Sequence, residues 1–352
     1  MEFGIFPLAQ QRSYNQSATQ VVQNTVQQTV AAEQAGFNAA WYAEHHFNNY
    51  SLLPSPLVMI AHCASLTKTI RLGSAVCVLP LYNPSRLLSE VGLVDILSNG
   101  RLELGIGSGY QEFEFERFNV ELKESQDVFR EFYEILQLGL REKVFSYEGK
   151  HFKVLPSAIS TRPVQSPTPP LWVTTSNPEF IRRAMREGHN LFVTAYQGGN
   201  DAVRALRAKL DDYASKENRS ISDTKVGIVR CAFASDDKTE IRQYLENAQF
   251  QRRVSEGLRH RQGQSGDGYM VPELPSPTDV PLDVLESNLP IGSTNRVIDK
   301  LLEEIEILRP NHIMIQTQLG DLDQTMMLRQ IALWGEKIIP AVQKALAGQK
   351  AH

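Results

Sequence analysis

The segment LWVTTSNPEFIRRAMREGHNLFVTA, from Leu171 to Ala195, holds the repeating unit of the fold. Leu171 to Thr175 is a short apolar and β-branched run that reads as a strand, and Ser176-Asn177-Pro178 punctuates it. Glu179 to Gly188 has helical length and mixed polarity, and Leu191 to Ala195 reads as a second strand. Strand, helix and strand in this order make a βαβ unit, which belongs to a parallel sheet.

The same alternation extends in both directions. Further strands are expected at Phe3 to Leu8, Ala39 to Glu44, Leu72 to Leu79, Leu102 to Ile106, Val226 to Phe233 and His312 to Gln316. Helices are expected at Ser17 to Ala35, Pro56 to Leu66, Pro84 to Leu97, Ser125 to Leu140, Asp201 to Lys216, Lys238 to Arg253, Ser293 to Leu308 and Leu322 to Leu346. Proline at the first turn (Pro84) and serine after Gly292 (Ser293) are helix-start signals. Eight strands are the count of a closed (β/α)8 TIM barrel, whereas doubly wound sheets commonly stop at about five to seven. Two segments break the rhythm. The proline-rich stretch 147–170, with a strand-like run from His151 to Leu155, is expected to be a small β excursion. The stretch 257–290, dense in Gly, Pro, Ser and Asp, is expected to be a mobile loop insertion able to cover the barrel mouth. Neither ends the fold, so residues 1–352 are expected to form one domain.

A formal net charge of -4 across 352 residues, with both signs dispersed, provides no basic face for nucleic acid or anionic lipid. No apolar run approaches the ~18 residues of a membrane span, and the opening MEFGIFPLAQQRSYN reads as a first strand rather than a signal peptide. Cys63, Cys77 and Cys231 are few, dispersed and set in apolar runs, which points to reduced, buried thiols in a cytoplasmic protein.

Barrel active sites lie where strands end in loops, which selects few polar groups. Glu44-His45-His46 follows the second strand and places two imidazoles and a carboxylate at the rim. Imidazole suits proton transfer because its ordinary pKa is about 6.5. A metal site would need another ligand from elsewhere, and neighbouring side chains on extended backbone point to opposite sides. One histidine is therefore expected to face the cavity and the other to pack outward. Leu104-Gly105-Ile106-Gly107-Ser108-Gly109-Tyr110 has glycines at alternate positions but fails the dinucleotide pattern, since no helix starts there. Its readings are close backbone packing or an approach route for a flat ring or a phosphate. Thr174 to Asn177 leads a strand into a helix; it serves either as an anion site at the helix start or as an ordinary cap by Ser176 or Asn177.

Taken in order, these blocks resemble the bacterial luciferase-like flavin-dependent monooxygenases. The resemblance rests on Phe3-Gly4-Ile5-Phe6, on Glu33-Gln34-Ala35-Gly36-Phe37-Asn38 running into Trp41-Tyr42-Ala43-Glu44-His45-His46-Phe47, and on Gly73-Ser74-Ala75-Val76-Cys77-Val78-Leu79-Pro80. Asn83-Pro84, Asp95 to Arg101, Leu104 to Gly107 and Leu289-Pro290-Ile291-Gly292-Ser293 continue it.

The resemblance implies a flavin mononucleotide, bound reduced (FMNH2), that meets O2 to give a peroxyflavin and oxygenates a small organic substrate. A flavin carries the oxygen chemistry, so no metal set is needed. His45 matches the catalytic histidine of the family, Glu44 a residue beside the flavin ring, and Ala75 with Val76 a non-proline cis peptide against that ring. Thr175 and Ser176 match phosphate contacts, and Ser108 and Tyr110 fall on the cofactor side of the glycine run. Ser108 and Gln126 stand where luciferase offers arginines to the phosphate, which makes Arg130, one turn further, a candidate for that charge. Gly107 replaces a reactive cysteine, and Glu112-Phe113 with Phe118 is more like nonluminous members, which speaks against light emission and a long-chain aldehyde. Phe6, Tyr82, Phe113, Trp172 and Tyr196 are the candidate lining of the substrate pocket. The chain has no nicotinamide fingerprint, so a separate NAD(P)H:flavin reductase is the expected partner, with a homodimer as the assembly. Two rival readings keep the fold: hydride transfer with a reduced deazaflavin, and a noncatalytic flavin-binding subunit. Retention of His45 speaks against the second.

Overall fold

The strands are almost entirely apolar and buried on both faces, the pattern a parallel sheet takes when helices cover it. In chain order they are β1 (Glu2–Pro7), β2 (Ala39–Tyr42), β3 (Arg71–Ser74), β4 (Cys77–Val78), β5 (Leu102–Gly107), β6 (Phe145–Glu148), β7 (Lys153–Ser157), β8 (Leu171–Thr174), β9 (Asn190–Thr194), β10 (Val226–Arg230), β11 (Phe233–Ala234), β12 (Ile291–Gly292) and β13 (His312–Thr317). The structure, a computed structural model, describes residues 1–260, 269–270 and 279–349. Eight strands, β1, β2, β3, β5, β8, β9, β10 and β13, pair parallel to their neighbours in that order. The sheet closes at both seams: β13 lies along β1 from Glu2 opposite His312 to Pro7 opposite Thr317, and β3 meets β5 with Leu72 opposite Leu102. The (β/α)8 barrel expected from the alternation is the observed fold.

Around it run α1 (Ala18–Gln34), α2 (Pro56–Leu66), α3 (Pro84–Leu97), α4 (Glu112–Arg117), α5 (Ser125–Arg141), α6 (Pro178–Arg186), α7 (Asn200–Lys216), α8 (Lys238–His260), α9 (Leu282–Asn288), α10 (Thr294–Leu308), α11 (Gln324–Leu333) and α12 (Ile339–Gln349). Side chains of Ser17, Ser55, Asn83, Asn177, Ser293 and Asp323 accept from first-turn N–H groups and fix where helices begin.

The barrel base is filled by aromatic rings. Trp172 stacks on Phe192 with centroids 4.5 Å apart, and Trp41 meets Phe192 edge-on at 4.6 Å. Glycine makes room for them: a Cβ on Gly73 would lie 2.2 Å from the Trp41 ring, and one on Gly227 2.8 Å from Phe192. With rings filling its base, the barrel has its catalytic mouth at the strands' carboxyl ends.

Five elements differ from the sequence expectation, among them the strand expected over Val226 to Phe233, which is two pieces, β10 and β11, with β11 paired to β12 outside the barrel. The strand expected over Leu72 to Leu79 is two pieces, β3 and β4, separated where the Ala75–Val76 peptide is cis. The last helix is divided by a π-helical turn, Trp334–Ile338. The short helix α4 was not expected. The stretch 257–290 is less irregular than its composition suggests, because α8 continues to His260 with Gly257 and Leu258 buried, and α9 occupies part of the remainder. The mobility expected there concerns mainly 261–268 and 271–278, which lie outside the described residues. The β excursion at 147–170 is the antiparallel hairpin of β6 and β7.

Candidate active site

The rim beyond β2 is organised by two carboxylates. Glu114, buried on α4, receives three donors at one oxygen: His45 Nδ1 at 3.0 Å, the His46 N–H at 2.8 Å and Asn48 Nδ2 at 3.3 Å. A carboxylate only accepts, so Nδ1 of His45 carries the proton and Nε2 is left for exchange. Among the described residues Nε2 has no protein partner. Glu44, also buried, binds His46 Nε2 at 3.0 Å through one oxygen, and the Val78 N–H at 3.1 Å and the Tyr82 hydroxyl at 2.7 Å through the other. Burial pushes the Glu44 carboxyl above its ordinary value, although these donors pull the other way.

The two histidines turn to different surroundings, as alternation requires. The His45 imidazole meets Tyr50 edge-on at 4.6 Å and faces Tyr110 at 6.4 Å, whereas His46 packs on Phe118 at 4.7 Å.

Over the mouth lies a cavity of about 500 Å³. Its lining includes Phe6 on β1, Tyr50, Tyr196 to Gly198 after β9, Cys231 after β10 and Gln316 on β13, closed by α8 from Gln251 to Arg259. Ala75, on the cis peptide, packs against the hydrophobic cluster that also holds Phe6, Tyr50 and Cys231. The loop after β9 is fixed from below. Arg230, fully buried, donates to the carbonyls of Tyr196 at 3.0 Å and Gly198 at 3.1 Å and pairs with buried Glu304 at 2.6 Å.

The phosphate candidates divide. Ser108 Oγ accepts from Gln126 Nε2 at 2.8 Å, which joins the two positions where luciferase-type chains offer arginine. Asn177 caps Glu179 and Phe180, and the Asn177 N–H is taken by Thr175 Oγ1 at 3.1 Å. The ordinary cap is thus in place, with the exposed Ser176 hydroxyl unbonded among the described residues. Arg130 is exposed and paired with Asp127 at 3.3 Å.

Of the expected pocket residues, Phe6 and Tyr196 line the cavity. Trp172 does not: it begins β8 low in the barrel, where its Nε1 donates to Glu103 at 2.7 Å. Tyr82 is held by Glu44, and buried Phe113 lies beneath the Arg117 guanidinium.

Residues 1–309 match the family described as luciferase-like monooxygenase. This chain belongs to that family. The uncharacterized protein y4vJ of Sinorhizobium fredii is 56% identical over 351 residues, spanning 100% of both chains. The oxygenase component of the flavin-dependent trigonelline monooxygenase of Acinetobacter baylyi is 28% identical over 242 residues, 68% of this chain and 67% of its own. Among solved structures, monooxygenase RslO1 from Streptomyces bottropensis superposes with a TM-score of 0.83 at 22% identity, covering 97% of this chain and 99% of its own. The oxygenating constituent of 3,6-diketocamphane monooxygenase from Pseudomonas putida, in complex with FMN, gives 0.78 at 22% identity over 97% and 98%. An F420-dependent secondary alcohol dehydrogenase gives 0.74 at 17% identity over 97% and 98%. At these identities the structural likeness concerns the fold.

The sequence pointed to the rim beyond β2 but not to much of the wall around it. Glu114 went unnoticed because a Glu between Phe113 and Phe115 reads as the polar side of a short helix. Tyr50 and the α8 face went unnoticed because they reach the mouth from loop and helix rather than from a strand end.

Proposed function

We propose that this chain is the oxygenase of a two-component system, taking reduced FMN from a separate NAD(P)H:flavin reductase and using O2 to oxygenate a small organic substrate. The observation that carries this reading is His45 at the rim beyond β2, its ring 4.6 Å from Tyr50 of the cavity lining, with Nδ1 held by Glu114 and Nε2 without a protein partner among the described residues. The surrounding residues fit a flavin. Gly107 leaves the backbone bare beside Val76, where a Cβ would lie 2.7 Å from the valine side chain. Ser108, Gln126 and Ser176 supply neutral hydroxyl and amide donors for a phosphate near the start of α6. Arg130 would have to leave Asp127 to join them.

When bound, the flavin supplies the oxygen chemistry. The protein's share is proton control and exclusion of water. Glu114 fixes the His45 tautomer so that Nε2 can hold or deliver a proton at the reacting edge. Glu44 holds His46, Tyr82 and the Val78 amide together, and thus the backbone beside Ala75–Val76. The apolar floor at Phe6 and Val229 keeps water out.

The test is oxygen uptake with reduced FMN, a flavin reductase and a panel of ketones, amines and organosulfur compounds, beside the same panel with a reduced deazaflavin. Reduced FMN is expected to bind at least as tightly as oxidised FMN and to support substrate-dependent uptake. Turnover with the deazaflavin and no oxygen consumption would replace this reading by hydride transfer. Stoichiometric zinc or iron essential for turnover would sink it.

We place the enzyme in the cytoplasm as a homodimer. No helix among the described residues is long and apolar enough to cross a membrane, and its three cysteines are free and buried. Val58 and Leu66 on α2 with Leu93, Ile96 and Leu97 on α3 leave an exposed apolar stripe on neighbouring helices, which a second copy would cover. Analytical ultracentrifugation should find a dimer that the double variant Val58→Glu, Leu97→Glu turns into monomer. A monomeric wild type, or a dimer untouched by both substitutions, would reject the assignment.

A further inference from the structure

The cavity over the barrel mouth carries an unmatched positive charge. Its floor is apolar at Phe6 and Val229, and its side groups Thr194, Gln197 and Gln316 are neutral. Among the described residues the charged side chains in its lining come from α8: Arg252, Glu256 and Arg259. Arg252 is matched, with Nε 3.0 Å from Glu256. Arg259 forms no ion pair among the described residues. Its guanidinium lies over the Tyr110 ring, Cζ 5.0 Å from the centroid, and that ring faces the His45 imidazole at 6.4 Å. Tyr50 completes the path, with its ring 4.6 Å from His45 and its hydroxyl taking Gln251 Nε2 at 2.7 Å. A free cation thus stands at the outer end of an aromatic surface whose inner end is the proposed proton-transfer group.

We propose that the substrate is a small organic anion, a carboxylate on a compact apolar body, with the carboxylate taken by Arg259 and the body lying on Tyr50 and Tyr110 toward His45. This rests on the reading of the cavity as the substrate site. The guanidinium fork matches a carboxylate in shape and charge, and among the described residues the acid in the lining, Glu256, is already paired with Arg252. Arg259 therefore acts as the specificity determinant. An anion could also arrive as a flavin phosphate, but the phosphate donors described above are at Ser108, Gln126 and Ser176, and we assign Arg259 to the substrate.

The test is calorimetric titration of the full chain, saturated with FMN and also without flavin. The probes are three acids with their neutral amides: benzoate and benzamide, hexanoate and hexanamide, indole-3-acetate and indole-3-acetamide. At least one acid should bind about tenfold or more tightly than its amide, the scale of a charge-assisted hydrogen bond. Arg259→Gln should bring that ratio to within about twofold, and Arg259→Lys should keep part of it, because the charge remains while the fork is lost. The preference for FMN over riboflavin should be the same in all three proteins. Equal binding of acids and amides by the wild type would overturn the proposal, as would a preference that survives Arg259→Gln. Loss of the FMN preference in that variant would make Arg259 a phosphate contact and overturn it as well. If neither flavin binds, the flavin reading fails, while the acid-to-amide ratio without flavin still decides the charge of the ligand.

Discussion

Replacing His45 by alanine is expected to lower productive turnover by about 100-fold or more, the scale of a lost general acid or base, while the protein stays folded and still binds FMN. The imidazole is largely buried, yet its removal leaves the rim's carboxylate supported. Its partner Glu114 keeps two other donors, the His46 N–H at 2.8 Å and Asn48 at 3.3 Å. What disappears is the Nε2 proposed to hold or deliver the proton. His46→Ala is expected to act differently. It strips the buried Glu44 of a 3.0 Å donor and leaves a gap against Phe118. An unsatisfied buried polar group costs about 1–3 kcal/mol, so this variant should melt earlier with a smaller loss of turnover. Coupled oxygen-uptake assays and thermal melts on both variants separate the roles. A fully active His45→Ala beside a stable but inactive His46→Ala would exchange the two assignments, and two fully active variants would remove proton control from this rim. Glu114→Gln offers a finer reading: with the carboxylate gone the tautomer is no longer fixed, so the pH profile of turnover should move even though His45 remains.

How far this could be seen in advance depends on whether a residue's role follows from its own neighbourhood in sequence. The strand ends and helix starts did, because Pro84, Asn177 and Ser293 act on the backbone next to them. The rim position of His45 did, since a strand leads straight into it. Glu114 did not: its function is to gather donors 66 to 69 residues away, and only the closed barrel brings them together. Trp172 is the converse case. Its type suited a pocket, but its place at the start of β8 sends it into the plugged base. Tyr82 was assigned to the substrate by its ring, whereas its hydroxyl decides where it lies. The Arg252 and Arg259 face of α8 was hidden inside an ordinary amphipathic helix, and its relation to Tyr110 exists only across the mouth.

The buried ion pair beneath the β9 loop was equally invisible, because Arg230 sat within an apolar strand pattern. Glu304→Gln is expected to destabilise the protein by about 3–5 kcal/mol, the cost of leaving a buried charge unpaired. Arg230 has no exposed surface, and Glu304 is its one acidic partner among the described residues, at 2.6 Å. Arginine cannot shed its charge. The carboxyl can: burial already holds Glu304 above its ordinary value against the pull of Arg230. Arg230→Met should therefore cost less than Glu304→Gln, since Glu304 left alone takes up a proton. Combining both changes should recover part of the loss, because the double variant buries no charge. Stability and function then separate. Arg230 also holds the carbonyls of Tyr196 and Gly198, with Tyr196 in a left-handed conformation at φ 48. Releasing them should disorder one wall of the cavity, so the double variant should be stable by urea denaturation yet bind substrate more weakly. If Glu304→Gln unfolded at the wild-type urea concentration, the pair would contribute nothing to the fold. If the double variant bound as tightly as wild type, the loop would not depend on Arg230.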